Sequence, residues 1–289
     1  TFEVLKLSEA GKKREEKQKV KLREMLAVLK DNRAMQMHII TGVSDKLAQQ
    51  TGSQQIINTL INGVLIGSYV ASQMVNNVSL GVGIVFLFFG GFFIAKWGAK
   101  KTTVIWSWLS IAVAVVTILF CLFLGGPEGM KKIGVMGVPV IIYTVLTLLK
   151  SSASMVLTAT NGARAADVTD YEYMRSGNYL PAVVSATYSF IDKAVSSLGS
   201  LVATGCVALV GYVNTVPQMG DKATWPIFWM GMFLMFGLPI LGWILNVISM
   251  KFYILDKEKM VEVQKTLAER KKEVEAMEAE AAKESSDEA

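Results

Sequence analysis

Residues 225 to 250, WPIFWMGMFLMFGLPILGWILNVISM, run on without a single charged side chain. About 20 helical residues cross the roughly 30 Å hydrocarbon core of a bilayer, so a run of this length and composition reads as a membrane span. Four further charge-poor runs have the same reading: 78 to 95, 102 to 124, 133 to about 163, and about 180 to 213. A sixth segment, 34 to about 66, is more polar. None shows the alternating period of a barrel strand. Backbone amides in lipid need partners within their own segment, so these runs are expected to be helices. The expected fold class is all-α, a polytopic membrane protein with six transmembrane helices.

Charge supports this reading. Hydrophobic residues make up 52% of the chain and charged residues only 18%, gathered into a few short stretches, which excludes an ordinary soluble domain. Residues 1–33 carry ten Lys or Arg against six acids, and Lys96, Lys100 and Lys101 lie between the second and third spans. The positive-inside rule puts both segments on the cytoplasmic side, so six spans leave both chain ends cytoplasmic. The expected organisation is a basic cytoplasmic segment (1–33), a six-helix transmembrane bundle (34–253) and a charged cytoplasmic tail (254–289). The tail should form a surface helix that frays into an acidic, disordered end. The net charge of +5 sits beside spans and is interleaved with Glu, with no nucleic-acid motif. The expected partner is therefore the lipid bilayer, not nucleic acid. Cys121 and Cys206 fall in different spans and read as small buried residues. The chain begins at Thr1 rather than Met, which suggests a piece of a longer protein.

Polar residues inside the spans carry the functional signal. Lys193 has Ser189, Ser196 and Ser197 at helical steps of three and four, continued by Ser185, Ser200 and Thr204. A charge at mid-membrane costs about 2.5 to 3.5 kcal/mol even on the lenient scale, so Lys193 should face a partner or a watery cavity. Asp192 flanks that stripe, beside Tyr188. Lys150 sits on a second stripe with Thr147, Ser154, Thr158 and Asn161, and the first span offers Gln55, Asn58 and Asn62. Serines, threonines and amides also knit helices together without any further role. Asp45 and Lys46 either line the site or mark an irregular, water-exposed stretch.

Enzyme chemistry finds little support. The single histidine, His38, argues against a Ser-His-Asp triad and against a His-rich metal site. Lys193 and Ser197 have dyad spacing but no oxyanion hole. Neither catalysis nor a bound metal is expected.

The stretch ARAADVTDYEYMRSGNYLPAVVSATYSFIDKAVSSLGSLVATGCVALVGYV, residues 163 to 213, resembles the glycoside-pentoside-hexuronide:cation symporters, the melibiose-permease-like branch of the major facilitator superfamily. The matching pieces are A-D-x-x-D-Y at Ala166, Asp167, Asp170 and Tyr171, then Gly177, Lys193, Gly211 and Tyr212. LKDNRAMQ and AKWGAKK resemble the central loop and the loop between helices 8 and 9, so the six spans resemble helices 7 to 12, the carboxy-terminal half.

The resemblance implies secondary active transport of a sugar or glycoside by alternating access, coupled to Na⁺, Li⁺ or H⁺, in a cell inner membrane. The cation site is expected mainly in an amino-terminal six-helix half, which is an expected partner; no other cofactor is implied. It points to Lys193, Ser189, Asp192 and Tyr188 as substrate-facing, joined by Lys150, Thr158 and Asn58 from the stripes. Asp167, Asp170, Tyr171, Arg164 and Arg175 form an expected gating loop, the aspartates pairing with Arg164, Arg175 or a basic loop of the other half. The acid at 192, the lysine at 150 and Thr158 in place of a sugar-stacking aromatic depart from the melibiose-type pocket. Alternatives are a symporter for an acidic sugar such as a hexuronide, or a non-transporting membrane sensor or scaffold derived from such a carrier.

Overall fold

The computed structural model describes residues 22–177, 181–269 and 272. Most of the basic amino-terminal segment and of the acidic tail lies outside the described residues. Those described are helical, with α1 (Leu22–Asp31) and α2 (Arg33–Gly52) preceding a shorter apolar helix, α3 (Gln55–Leu65). Five long apolar helices follow: α4 (Tyr69–Trp97), α5 (Ala99–Phe123), α6 (Val138–Ser176), α7 (Pro181–Leu209) and α8 (Trp225–Phe252). A surface helix, α9, covers 257–269.

All five clear spans are therefore present as membrane-length helices, and α4 to α8 make this a multi-pass membrane protein. The sixth expected span takes a different form. Gly52 and Ser53 end α2, and Gln54 is extended, so segment 34 to 66 is two helices, not one. The break falls within the polar run AQQTGSQ, where glutamine, threonine and serine offer the chain bonds outside a helix. Asp45 and Lys46 lie inside α2, above the break.

A second difference concerns the expected gating loop. Residues 163–176 continue α6, a 39-residue helix. At 1.5 Å per residue it is about 58 Å long, well beyond the hydrocarbon thickness. Its projecting end contains Ala, Arg, Asp and Glu but no Gly or Pro until Gly177, which caps the helix at φ +73°.

Helix α6 is the axis of the bundle, packed along both α4 and α5. The α4 contact is close: a methyl group at Gly90 would stand 2.7 Å from the Ala159 Cβ. Outward-facing Phe88, Phe92 and Phe123 suit hydrocarbon rather than water. One apolar cluster gathers α3, the end of α5, the start of α6 and Phe228 to Trp243 of α8. A second joins α1, the start of α2, Val168 of α6, the start of α7 and the end of α8. Helix α8 widens into a π turn at Phe233–Gly237 just before Pro239, whose missing N–H the ordinary α pattern cannot accommodate.

The end of the second cluster is tied by a polar network. Asn32 caps α2 by accepting a hydrogen bond from the Met35 amide, and its Nδ2 donates to Glu172 Oε2 at 2.8 Å. Arg175 donates to the other Glu172 oxygen at 2.9 Å. Helix α9 is anchored where Lys257 Nζ donates to the Ala95 and Lys96 carbonyls, at 3.3 and 3.0 Å, at the end of α4. Gln264 Nε2 donates to Asp170 at 2.6 Å. The helical part of the expected tail is therefore docked on the bundle.

Glu172→Ala strands the buried Asn32 amide and is expected to cost about 1–3 kcal/mol. The readout is a lower melting temperature in detergent. Glu128→Ala, which breaks an exposed pair with Lys131, should cost under about 1 kcal/mol.

Candidate functional site

A cavity of about 560 Å³ opens between α2, α3, α6, α7 and α8, within the size range of small-molecule sites. Helix α2 contributes Asp45, Lys46 and Gln49, and α3 contributes Asn58 and Asn62. The α6 stripe supplies Lys150, Ser154, Thr158 and Asn161 at successive helical steps. Tyr188 and Asp192 enter from α7, one turn apart, and Met235 and Trp243 from α8. Asn76 of α4 completes the polar wall.

Two acids and two lysines thus face one space. Among the described residues the ion pairs within 4.0 Å are Lys131–Glu128, Arg175–Glu172 and Lys259–Glu262, so none joins the four cavity charges to one another. Lys150 Nζ lies 4.7 Å from the centroid of the Phe236 ring, a cation–π contact that offsets part of its desolvation. Asn246 Nδ2 donates to both Asp45 oxygens, at 3.1 and 3.0 Å. Asn62 donates to Asn58 along α3. Charges held by neutral dipoles rather than by counter-charges remain available to a ligand or to water.

Next to the cavity lies a buried polar layer centred on Arg164, which is only 1% exposed. Its guanidinium donates to the hydroxyls of Thr103 and Thr160 and, at 3.3 Å, to Asn161 Oδ1. Asp45 and Asp167 both attract it electrostatically without a direct ion pair. Asn161 Nδ2 donates to the Tyr188 hydroxyl at 2.9 Å. The Tyr188 ring stacks on His38 with centroids 4.8 Å apart and planes 25° from parallel. Gly42 makes room for it, since a methyl group there would stand 2.6 Å from Tyr188 Cε2. The His38 nitrogens have no hydrogen-bond partner among the described residues.

The structure brings together Asn58, Lys150, Thr158, Tyr188 and Asp192 among the expected substrate-facing residues, with Asp45 and Lys46 also lining the cavity. Lys193 and Ser189 are not brought to the lining: both are exposed, on the outer face of α7 with Ser185, Ser197 and Ser200. Each residue turns the helix by about 100°, so Lys193 points away when Asp192 and Tyr188 point in.

The expected gating pairs are also rearranged. Arg175 binds Glu172, Asp170 accepts from Gln264, and Arg164 is committed to Thr103, Thr160 and Asn161. Tyr171 packs on the apolar cluster around Val168. The motif's helical conformation explains this: Arg175 is three residues from Glu172, and the docked tail reaches Asp170 first.

Sequence reasoning missed Trp243, Gln49, Asn76 and the supporting Asn246. Asn246 carried a usable signal, being the one amide in the charge-free run 225 to 250 and three residues from Trp243.

The family described as MFS/sugar transport protein matches residues 2–257. Searches among curated proteins and among solved structures returned no match.

If the cavity holds water, Thr158→Cys in a background with Cys121 and Cys206 replaced by Ser should react with a membrane-impermeant thiol reagent. Thr160→Cys, two residues away but fully buried, should not. Mass spectrometry of the labelled protein reads both, and equal labelling would contradict the cavity.

Proposed function

The chain belongs to the MFS/sugar transport protein family, and from that membership we propose that it forms the sugar-facing carboxy-terminal half of a cation-coupled symporter for a sugar or glycoside. The observation that carries the proposal is the cavity, where aromatic and polar side chains converge from separate helices. A sugar needs both. Its ring presents an apolar face to Trp243, while its hydroxyls exchange hydrogen bonds with Asn58, Thr158, Tyr188 and Asp192.

Transport of this kind needs no covalent chemistry. Two bundles rock about a site between them, exposing it to each side of the membrane in turn. The exposed polar face of α7 gives Lys193 its role. A lysine on an outward stripe of serines suits a water-containing contact with a second bundle better than it suits lipid. There its charge meets the carboxylates that bind Na⁺, Li⁺ or H⁺, so that cation and sugar occupancy each alter the affinity for the other. In this reading both chain ends are cytoplasmic, in a cell membrane. Asp167, at the projecting end of α6, and Asp170, once Gln264 releases it, pair with a basic segment of the other half in one state of the cycle.

Lys46 and Lys150, unpaired at the cavity, favour a second reading in which the sugar carries a carboxylate.

In proteoliposomes containing both halves, Lys193→Ala is expected to abolish cation-driven accumulation of the labelled sugar, and accumulation at the unaltered level would remove the coupling role. If the sugar is acidic, methyl glucuronide should compete better than methyl glucoside, and Lys150→Ala should erase that preference. Equal competition in the unaltered protein would reject the acidic reading.

A further inference from the structure

The hydrogen bonds around Asn161 fix the direction of each proton between Arg164 and the cavity. A guanidinium only donates. The hydroxyls of Thr103 and Thr160 send their own hydrogens to the carbonyls of Ala99 and Leu157, at 2.8 and 2.7 Å, and therefore accept from Arg164 Nη1. Arg164 Nη2 donates to Asn161 Oδ1 at 3.3 Å. That contact orients the amide, because only its oxygen can face a donor. Its nitrogen then faces the other way and donates to the Tyr188 oxygen at 2.9 Å. Tyr188 thus accepts through its oxygen, and its own hydrogen has no hydrogen-bond acceptor among the described residues. The ring is held between its stack on His38 and the close approach of Gly42.

Asp192 lies four residues further along α7, on the same face as Tyr188, and also lines the cavity. Its carboxylate has neither a hydrogen bond nor an ion pair among the described residues. The cavity therefore presents, one helical turn apart, a hydroxyl that must donate and a carboxylate that must accept.

We infer that Tyr188 is a specificity-determining donor, held in that polarity by Arg164 through Asn161, and that a single sugar hydroxyl bridges it to Asp192. A hydroxyl can accept from Tyr188 and donate to Asp192 at once, whereas an ether oxygen only accepts and an ammonium only donates. Arg164 is a positioning residue: it sets which end of the Asn161 amide faces Tyr188 and does not itself reach the cavity lining. The bridging hydroxyl rests on the transport reading above; the polarity of the relay does not.

Two variants test the inference. Tyr188→Phe removes the donor. Asn161→Asp leaves only acceptors beside Tyr188, so the tyrosine hydrogen turns away from the cavity to the new carboxylate. With the labelled methyl glycoside that the unaltered transporter takes up from a panel of hexosides, pentosides and hexuronides, each variant should raise KM about three- to tenfold with kcat unchanged. The double variant should be no worse than either alone. An unchanged KM in Tyr188→Phe, or in Asn161→Asp while Tyr188→Phe raises it, overturns the inference.

A sugar-free readout keeps failure of the relay separate from failure of the transport reading. The tyrosine C–O stretch assigned to Tyr188, from the infrared difference between the unaltered protein and Tyr188→Phe, should shift in Asn161→Asp as the hydroxyl changes from acceptor to donor. An unmoved band in a variant of unchanged melting temperature overturns the relay whatever the sugar is.

Discussion

The organisation of the bundle interior follows from one requirement: the guanidinium of Arg164 is buried and has to be satisfied there. A buried cation without partners costs far more than a domain can spare. Thr103 reaches it from α5, and Thr160 and Asn161 reach it from its own helix. These bonds lock α5 and α6 in register and orient the Asn161 amide. Through that amide they orient Tyr188 on α7, and through the stack on His38 they extend to α2. Asp45, held by Asn246, brings α8 into the same layer. Helices α2, α6, α7 and α8, which all line the site, are thus joined in one sequence of hydrogen bonds and ring stacking.

This polar layer lies between two apolar clusters, one around α3 and Phe228, the other around Val168 and Met250. The clusters supply non-directional burial, while the layer between them supplies directional bonds that a change of packing would break. The cavity stands beside the layer, where groups oriented by the interior meet a space large enough for a small molecule. Its four charges are not cancelled against one another, which is expensive in a membrane protein and has a use only when something else enters to meet them.

Much of the fold was legible in the sequence because lipid imposes length and polarity with little ambiguity. The five charge-poor runs became α4 to α8, and the lysine in the third of them, Lys150, did mark a wall of the cavity. Two expectations differ from the structure. Segment 34 to about 66, the most polar of the six expected spans, is broken by Gly52, Ser53 and the extended Gln54. The resemblance implies a gating loop at Arg164, Asp167, Asp170, Tyr171 and Arg175, but charge ends a membrane segment and not a helix. Helix α6 runs straight through them until Gly177.

The sequence by itself determined that this chain is a helical membrane protein, where most of its spans lie, and which stripes along them are polar. Periodicity places residues on a common face, and hydrocarbon makes a polar face conspicuous. Only the tertiary structure decided which face turned inward. Tyr188, Asp192 and Lys193 lie on adjoining faces of α7, and the rotation that sends the first two to the cavity and the third outward is set by contacts with Gly42, His38 and Asn161. Those partners are distant in the chain, so neither the spacing nor the composition of residues 187 to 198 contains that choice.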